Sequence, residues 1–188
     1  MSAFETLYVS RAGMKLHAAL ETFSFLPTGC IAADLGCNVG GFTDCLLKAG
    51  ATKVYAIDTS YGVLAWKLRQ DPRVVVMERT NALHCRLPEP VNVVVIDVAW
   101  TRQDLILPVA KRMLVPGGDI ITLFKPHYEC ALAKKQKGVL TPVQSEATMN
   151  SFIATLPQHG YTLRGHIKSP LQGQGGNSEY VLWLKPQG

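Results

Sequence analysis

Five apolar runs of strand length dominate the first two thirds of the chain: CIAADL (30–35), KVYAID (53–58), RVVVME (73–78), VNVVVID (91–97) and DIITLFK (119–125). Most lack the in/out alternation of a half-exposed strand, which is the pattern of parallel strands covered on both faces. Helical stretches at 41–49, 62–70 and 103–114 separate them. Ahead of the first run, Ser10 can cap a helix over Arg11–Phe25 with Leu16, Ala19, Leu20 and Phe23 on one side. Gly50 stands where a helix C-cap belongs, and Pro116-Gly117-Gly118 turns the chain into the fifth run. Thr141-Pro142-Val143-Gln144 reads as a capping box with proline at the first helical position, opening a helix to about Gln158. Two strands near 161–168 and 179–185, joined by SPLQGQGGN, close the chain. No repeat, low-complexity tract or linker interrupts this order. The pattern predicts one alternating α/β domain over residues 1–188, with a mostly parallel sheet and helices on both faces.

A chain of 188 residues, 47% hydrophobic and 18% charged, has the composition of a soluble globular domain. No run reaches the ~18 apolar residues of a membrane span. The N-terminal MSAFETLYVSRAG lacks a basic-then-apolar export pattern, so a cytoplasmic protein without membrane contact is expected. Five cysteines, with no C-x-x-C pair, read as reduced thiols. His84-Cys85 lacks the further ligands of a metal site. The net charge of +5 permits a polyanionic partner.

The first strand empties into ADLGCNVGGFTD (33–44), a glycine loop between strand and helix. Its spacing, Gly36-x-x-x-Gly40-Gly41, departs from the G-x-G-x-x-G of dinucleotide sites. No Gly-Lys-Ser/Thr follows, which excludes a Walker loop. Asp34 is a poor neighbour for a pyrophosphate and a good one for an ammonium or sulfonium. S-adenosylmethionine carries both cations and no phosphate, so the loop favours that cofactor. Asp34, Gly36, Asn38, Gly40, Gly41 and Phe42 are its candidate contacts. Asp58, ending the second strand, can accept from ribose hydroxyls, as acids do at this position in nucleotide folds. Asn81 can address the adenine edge. Asp97 ends the fourth strand, at the sheet edge where α/β proteins bind ligands.

Lys125 ends an apolar strand, a costly place for an ammonium unless it is paired or functional; Asp97 on the neighbouring strand is the natural partner. Lys15 on the first helix and Glu179 at the last strand would each be unremarkable alone. Arg11, Lys134, Lys135, Lys137 and Lys168 add positive charge near the same cleft and could hold phosphates. Trp100 and Tyr128 flank Asp97 and Lys125 and could stack an unpaired base.

Taken together, YVSRAGMKL, DLGCNVGGFTD, VYAID, LRQDPRVVVMERTNA, FKPHYE and SPLQGQGGNSEYVLWL resemble the FtsJ-like RNA ribose 2′-O-methyltransferases, most closely their hemolysin-A-type ribosomal RNA branch, from about Tyr8 onward. The resemblance implies a Rossmann-like S-adenosylmethionine-dependent methyltransferase fold, a seven-stranded sheet whose last strand is antiparallel. It also implies a catalytic tetrad at Lys15, Asp97, Lys125 and Glu179. Two departures accompany it. The family's fourth-strand Asp-Val usually continues Ser-Phe, whereas Asp97-Val98 continues Ala99-Trp100-Thr101. The branch usually begins with a small S4-type RNA-binding domain, while here about ten residues precede the first helix. On that reading a ribosomal subunit or a protein partner would take over target recognition.

The chemistry expected is in-line methyl transfer to a ribose hydroxyl, which needs alignment and removal of a proton. A lysine on an apolar strand, near a sulfonium and a second lysine, sits in surroundings that favour its neutral, proton-accepting form. Asp97 would orient Lys125 and contact the methionine ammonium; Lys15 and Glu179 would hold the target ribose. Two alternatives stay open: a methyltransferase for a small molecule or protein, and a catalytically silent RNA-binding relative.

Overall fold

The computed structural model describes residues 7–131, 133 and 138–188. Seven strands form one sheet: β1 Ile31–Leu35, β2 Lys53–Ile57, β3 Val74–Met77, β4 Val91–Ile96, β5 Leu114–Phe124, β6 Tyr161–Lys168 and β7 Tyr180–Pro186. Their spatial order is β3-β2-β1-β4-β5-β7-β6. The first five are parallel, and β7 runs antiparallel to both β5 and β6. The expected sheet, with its antiparallel last strand, is what the chain forms. The order reverses between β1 and β4, so their carboxyl ends open a crevice of the kind that holds ligands in α/β folds.

Helices α1 Ala12–Phe23, α2 Gly41–Lys48 and the short α3 Trp66–Arg69 cover one face. Helices α4 Gln103–Met113 and α6 Pro142–Thr155 cover the other, and the one-turn α5 Pro126–Glu129 packs against α6. With both faces covered, the central strands are uniformly apolar: Val93, Val94, Val95 and Ile96 of β4 are all fully buried. That is the physical basis of the missing alternation.

Most helix ends obey their sequence signals. Gly50, at φ +99°, ends α2 with its N–H on Leu47 O and the Ala51 N–H on Leu46 O, a paired cap that needs a left-handed residue. Thr141 and Gln144 form the expected reciprocal box at the start of α6. Three expectations need correction. Ser10 does not cap α1 through its side chain; Arg11 is the N-cap residue, and the Gly13 N–H reaches the Ser10 carbonyl instead. The helix expected over 62–70 shrinks to Trp66–Arg69, because the Gly62 and Leu64 amides are spent on the Glu78 carboxylate. The fifth strand begins at Leu114 rather than Asp119. Leu114 pairs with Val91 and Asp119 with Val93, so Pro116-Gly117-Gly118 is an excursion within the strand, not a lead-in.

Candidate active site

The crevice at the β1/β4 switch point is a cleft of about 610 Å³, the size of a small-molecule site. Of the residues singled out from sequence, Lys15, Gly36, Asn38, Phe42, Asp58, Asn81, Asp97, Lys125 and Glu179 line it. Asp34, Gly40 and Gly41 do not. The carboxyl ends of β1 to β5, the start of β7 and the start of α1 therefore meet at one opening, although their residues are spread over most of the chain.

The glycines of the loop are needed for packing. A Cβ on Gly36, which sits at φ +86°, would come within 2.6 Å of the Asp97 carbonyl oxygen, where β1 and β4 close on each other. One on Gly40 would collide with the Leu68 side chain, and one on Gly41 would come within 2.7 Å of the Gly13 amide at the start of α1. Asn38 is also left-handed, at φ +48°, a region that asparagine tolerates better than most residues.

Asp34 lies beneath the loop and is 0% exposed. Its Oδ2 accepts from the Thr43 hydroxyl at 2.7 Å, and its Oδ1 has no partner among the described residues. Burial pushes this carboxyl up to about 7 against the pull of the Thr43 bonds. Positive charge above the loop would favour the ionised form of this buried carboxyl.

Asp58 is already engaged. Its Oδ2 accepts from the Asn38 amide at 2.8 Å, and its Oδ1 from the Ser60 amide and hydroxyl at 2.8 and 2.7 Å. A carboxylate offers about four acceptor positions, so roughly one remains for a ligand unless the Ser60 hydroxyl rotates away. Asn81 uses its side-chain oxygen to cap the 3₁₀ turn Ala82–His84 through the Leu83 amide, leaving its NH₂ for other acceptors.

Two ion pairs complete the cleft. Lys125 Nζ lies 2.6 Å from Asp97 Oδ1 and also donates to the Val98 carbonyl at 3.0 Å. Lys15, rising from α1, pairs with the buried Glu179 carboxylate at the threshold of β7. These join two pairs of residues that are 28 and 164 positions apart in sequence. The structure thus brings all four into one cleft as two couples.

The rim is aromatic. Trp100 is 83% exposed, holds a left-handed φ of +62°, and packs at a tilt against Tyr128 with ring centroids 5.1 Å apart. Arg11 lines the cleft, exposed and without an ion-pair partner among the described residues. Lys168 ends β6 opposite Tyr180, one residue from Glu179, without lining the cleft. Lys134, Lys135 and Lys137 lie outside the described residues. Among the described residues no His, Cys, Asp or Glu cluster could hold a metal, no helix is long and apolar enough to cross a membrane, and the cysteines are free thiols.

Sequence reasoning missed several lining residues, among them Thr59, Thr80, His127 and Gly173. Gly173 had a signal, since it lies in a glycine-rich stretch; a Cβ there would strike the Glu179 carboxylate. His127 had none. Its Nδ1 is buried without a partner, and burial, with Lys125 beside it, lowers its basicity.

Residues 8–186 match the family model described as FtsJ-like methyltransferase. The TlyA protein of Mycobacterium tuberculosis, named 16S/23S rRNA (cytidine-2′-O)-methyltransferase, is 40% identical over 189 residues, which cover 97% of this chain and 70% of TlyA. The YqxC protein of Bacillus subtilis is 41% identical over 186 residues, covering 94% of this chain. The chain spans 65% of YqxC's length. A solved structure from Streptococcus thermophilus superposes with a TM-score of 0.91 at 34% identity, covering 99% of this chain and 70% of that one. The 1,6-didemethyltoxoflavin-N1-methyltransferase of Burkholderia thailandensis, solved with S-adenosylhomocysteine, shares the fold alone, with a TM-score of 0.69 at 14% identity over 96% of this chain and 80% of that one.

Proposed function

The chain belongs to the FtsJ-like methyltransferase family, and on that premise we propose that it methylates the ribose 2′-hydroxyl of an RNA, with S-adenosylmethionine as donor and ribosomal RNA as the substrate class. The observation that carries this reading is the meeting of the Lys125–Asp97 and Lys15–Glu179 pairs in the cleft beside the glycine loop. A methyltransferase for a small molecule would have no evident use for the second pair.

When bound, S-adenosylmethionine supplies a methyl group already activated by its sulfonium. The residues present fit such a ligand. The Gly36–Asn38 backbone and Phe42 form the floor for its amino-acid end, and the free acceptor on Asp58 suits a ribose hydroxyl. The Asn81 amide suits the adenine edge. Asp97 would meet the ammonium, and Asp34, tied to α2 through Thr43, would lie beneath it.

Lys125 is the group assigned to the proton. Asp97 and the Val98 carbonyl fix Nζ with two of its three donor positions, so the third points away from both. In the neutral amine that position is a lone pair. Lys125 Nζ accepts the hydroxyl proton as the ribose oxygen takes up the methyl group. Lys15 and Glu179 hold the target ribose by donating to and accepting from its hydroxyls. Trp100 and Tyr128 provide an aromatic face for an unpaired base, and Arg11 a charge for its phosphate.

We take residues 1–188 as one methyltransferase domain acting in the cytoplasm, with a ribosomal subunit or protein partner assisting recognition. Incubation with labelled cofactor and ribosomal RNA, followed by mapping of methylated riboses, tests the reading. Label should appear on 2′-oxygens and should be absent from a target carrying a 2′-deoxy residue at the mapped site. Label on a base, on protein or on small molecules alone would overturn it.

A further inference from the structure

Beyond the cleft, the segment between β2 and α3 exposes large side chains where a folded protein ordinarily hides them. Tyr61 is 68% exposed and Trp66 73%, with Val63 exposed between them. Large apolar side chains exposed together in one short segment are candidates for an interaction site.

The display is built into the fold. Glu78, at the end of β3, accepts from the Gly62 amide at 3.0 Å and the Leu64 amide at 3.4 Å, and it is ion-paired with Arg69. Arg69 in turn donates through Nε to the Leu64 carbonyl at 3.0 Å. Arg79 is held at a left-handed φ of +52° by a bond from its N–H to the Ser60 carbonyl, 3.0 Å. That conformation lays its guanidinium 4.1 Å from the centre of the Tyr61 ring. A non-glycine residue keeps such a backbone only where its surroundings impose it. Of the four cations in residues 59–80, Lys67 pairs with Asp44, Arg69 with Glu78 and Arg73 with Asp71, whereas Arg79 makes no ion pair to a described residue. Thr59 and Thr80, at the two ends of this segment, both line the cleft, so the patch is continuous with it.

We propose that the Tyr61–Arg79–Trp66 surface is a second contact for the RNA substrate, stacking unpaired nucleotides next to the cleft while Arg79 meets a phosphate. This rests on the RNA methyl transfer proposed above. Aromatic faces interleaved with arginine planes are the usual platform for unpaired bases. A protein partner docking on the same apolar groups would have to bury the Arg79 charge or supply a carboxylate for it. The unpaired Arg79 guanidinium beside an aromatic face instead matches a phosphate next to an unpaired base.

Trp66 itself reports the contact. The chain is titrated at low salt with a single-stranded oligoadenylate of about twelve nucleotides, long enough for a typical single-strand site, following tryptophan fluorescence. Trp100, at the cleft rim, is silenced by Trp100→Phe; quenching is expected in that variant and should fall away when Trp66→Phe is added to it. In parallel, Tyr61→Ala, Trp66→Ala and Arg79→Gly, the last of which keeps the left-handed backbone, are assayed on ribosomal RNA. Half-saturation by RNA should rise roughly tenfold per lost stacking partner. S-adenosylhomocysteine affinity and the rate at saturating RNA should stay near wild type. Variants with unchanged RNA half-saturation, or RNA binding that leaves Trp66 emission unaltered, would overturn the proposal while leaving the methyltransferase reading intact. A wild-type chain that neither binds nor methylates RNA would overturn both.

Discussion

Lys125 is where a base can be told from a mere countercharge. If it only balances Asp97, arginine should replace it, since guanidinium pairs with carboxylate well. If it must take a proton, arginine cannot, because it stays protonated. Lys125→Arg should therefore bind S-adenosylhomocysteine within a few-fold of wild type and lose about 10²–10⁴-fold in turnover, the usual loss for a general base. An active Lys125→Arg enzyme would remove the lysine from the chemistry. Asp34 poses a second protonation question. Burial raises its carboxyl from 3.8 to about 7, so the folded chain holds a proton in that interval that the unfolded chain gives up. Stability should decline as pH rises through this window and level off above it. Asp34→Asn can still accept from Thr43 and cannot ionise, so its melting temperature should lack that decline. A wild type whose melting temperature runs parallel to the variant's from pH 4 to 7 would show that Asp34 ionises normally. Neither the orphaned Oδ1 nor the Thr43 bond was legible in the sequence, which marked Asp34 only as an acid before a glycine loop.

At the scale of elements, caps and tethers decide what the loops present. The Thr141–Gln144 box lies at the surface and does not line the cleft. Thr141→Ala should cost about 1 kcal/mol, a fall of roughly 2–4 °C in melting temperature for a domain of this size, with cofactor affinity untouched. Loss of cofactor binding in that variant would mean that α6 supports the site directly. Asp58 behaves differently, because it serves both a ligand and the loop. Asp58→Ala removes a charge-assisted acceptor worth about 1.5–3 kcal/mol and frees the Asn38 amide as well. S-adenosylhomocysteine affinity by calorimetry should fall by at least tenfold, and unchanged affinity would place the ribose elsewhere. A further tether runs through Asp44. It accepts from the Val9 amide at 2.9 Å and pairs with Lys67, binding the segment before α1 and the start of α3 to α2. The helix-propensity signal over 62–70 failed for the same kind of reason: backbone donors were claimed by a carboxylate from another strand.

For the molecule as a whole, the net charge of +5 is modest. Binding to free RNA should therefore be weak and should fall steeply with salt, each phosphate contact adding about −0.7 to the log–log slope for a single strand. A folded ribosomal subunit should be methylated better than a short unstructured oligonucleotide containing the same nucleotide. Efficient, sequence-specific methylation of the short oligonucleotide would show that this chain carries its own recognition.

The sequence by itself determined the architecture. Doubly buried strands must be uniformly apolar, crossover helices must be amphipathic, and glycine is favoured where a helix ends in a left-handed turn, so strand runs, helix faces and Gly50 could all be read in order along the chain. It also marked the strand-end residues of the cleft, because polar groups after apolar strands in such a sheet gather at one edge. Only the tertiary structure decided which of them meet. The Lys15–Glu179 pair spans 164 positions and depends on α1 lying across the end of β7, which no local pattern encodes. It likewise decided that Asp34 lies under the loop while Asp58 faces the cleft, since both are acids at strand ends and differ only in what packs above them. The Glu78 clamp that turns Tyr61 and Trp66 outward belongs to the same class. Its partners are amides and an arginine from another segment, and backbone donors look alike in every sequence until the fold assigns their acceptors.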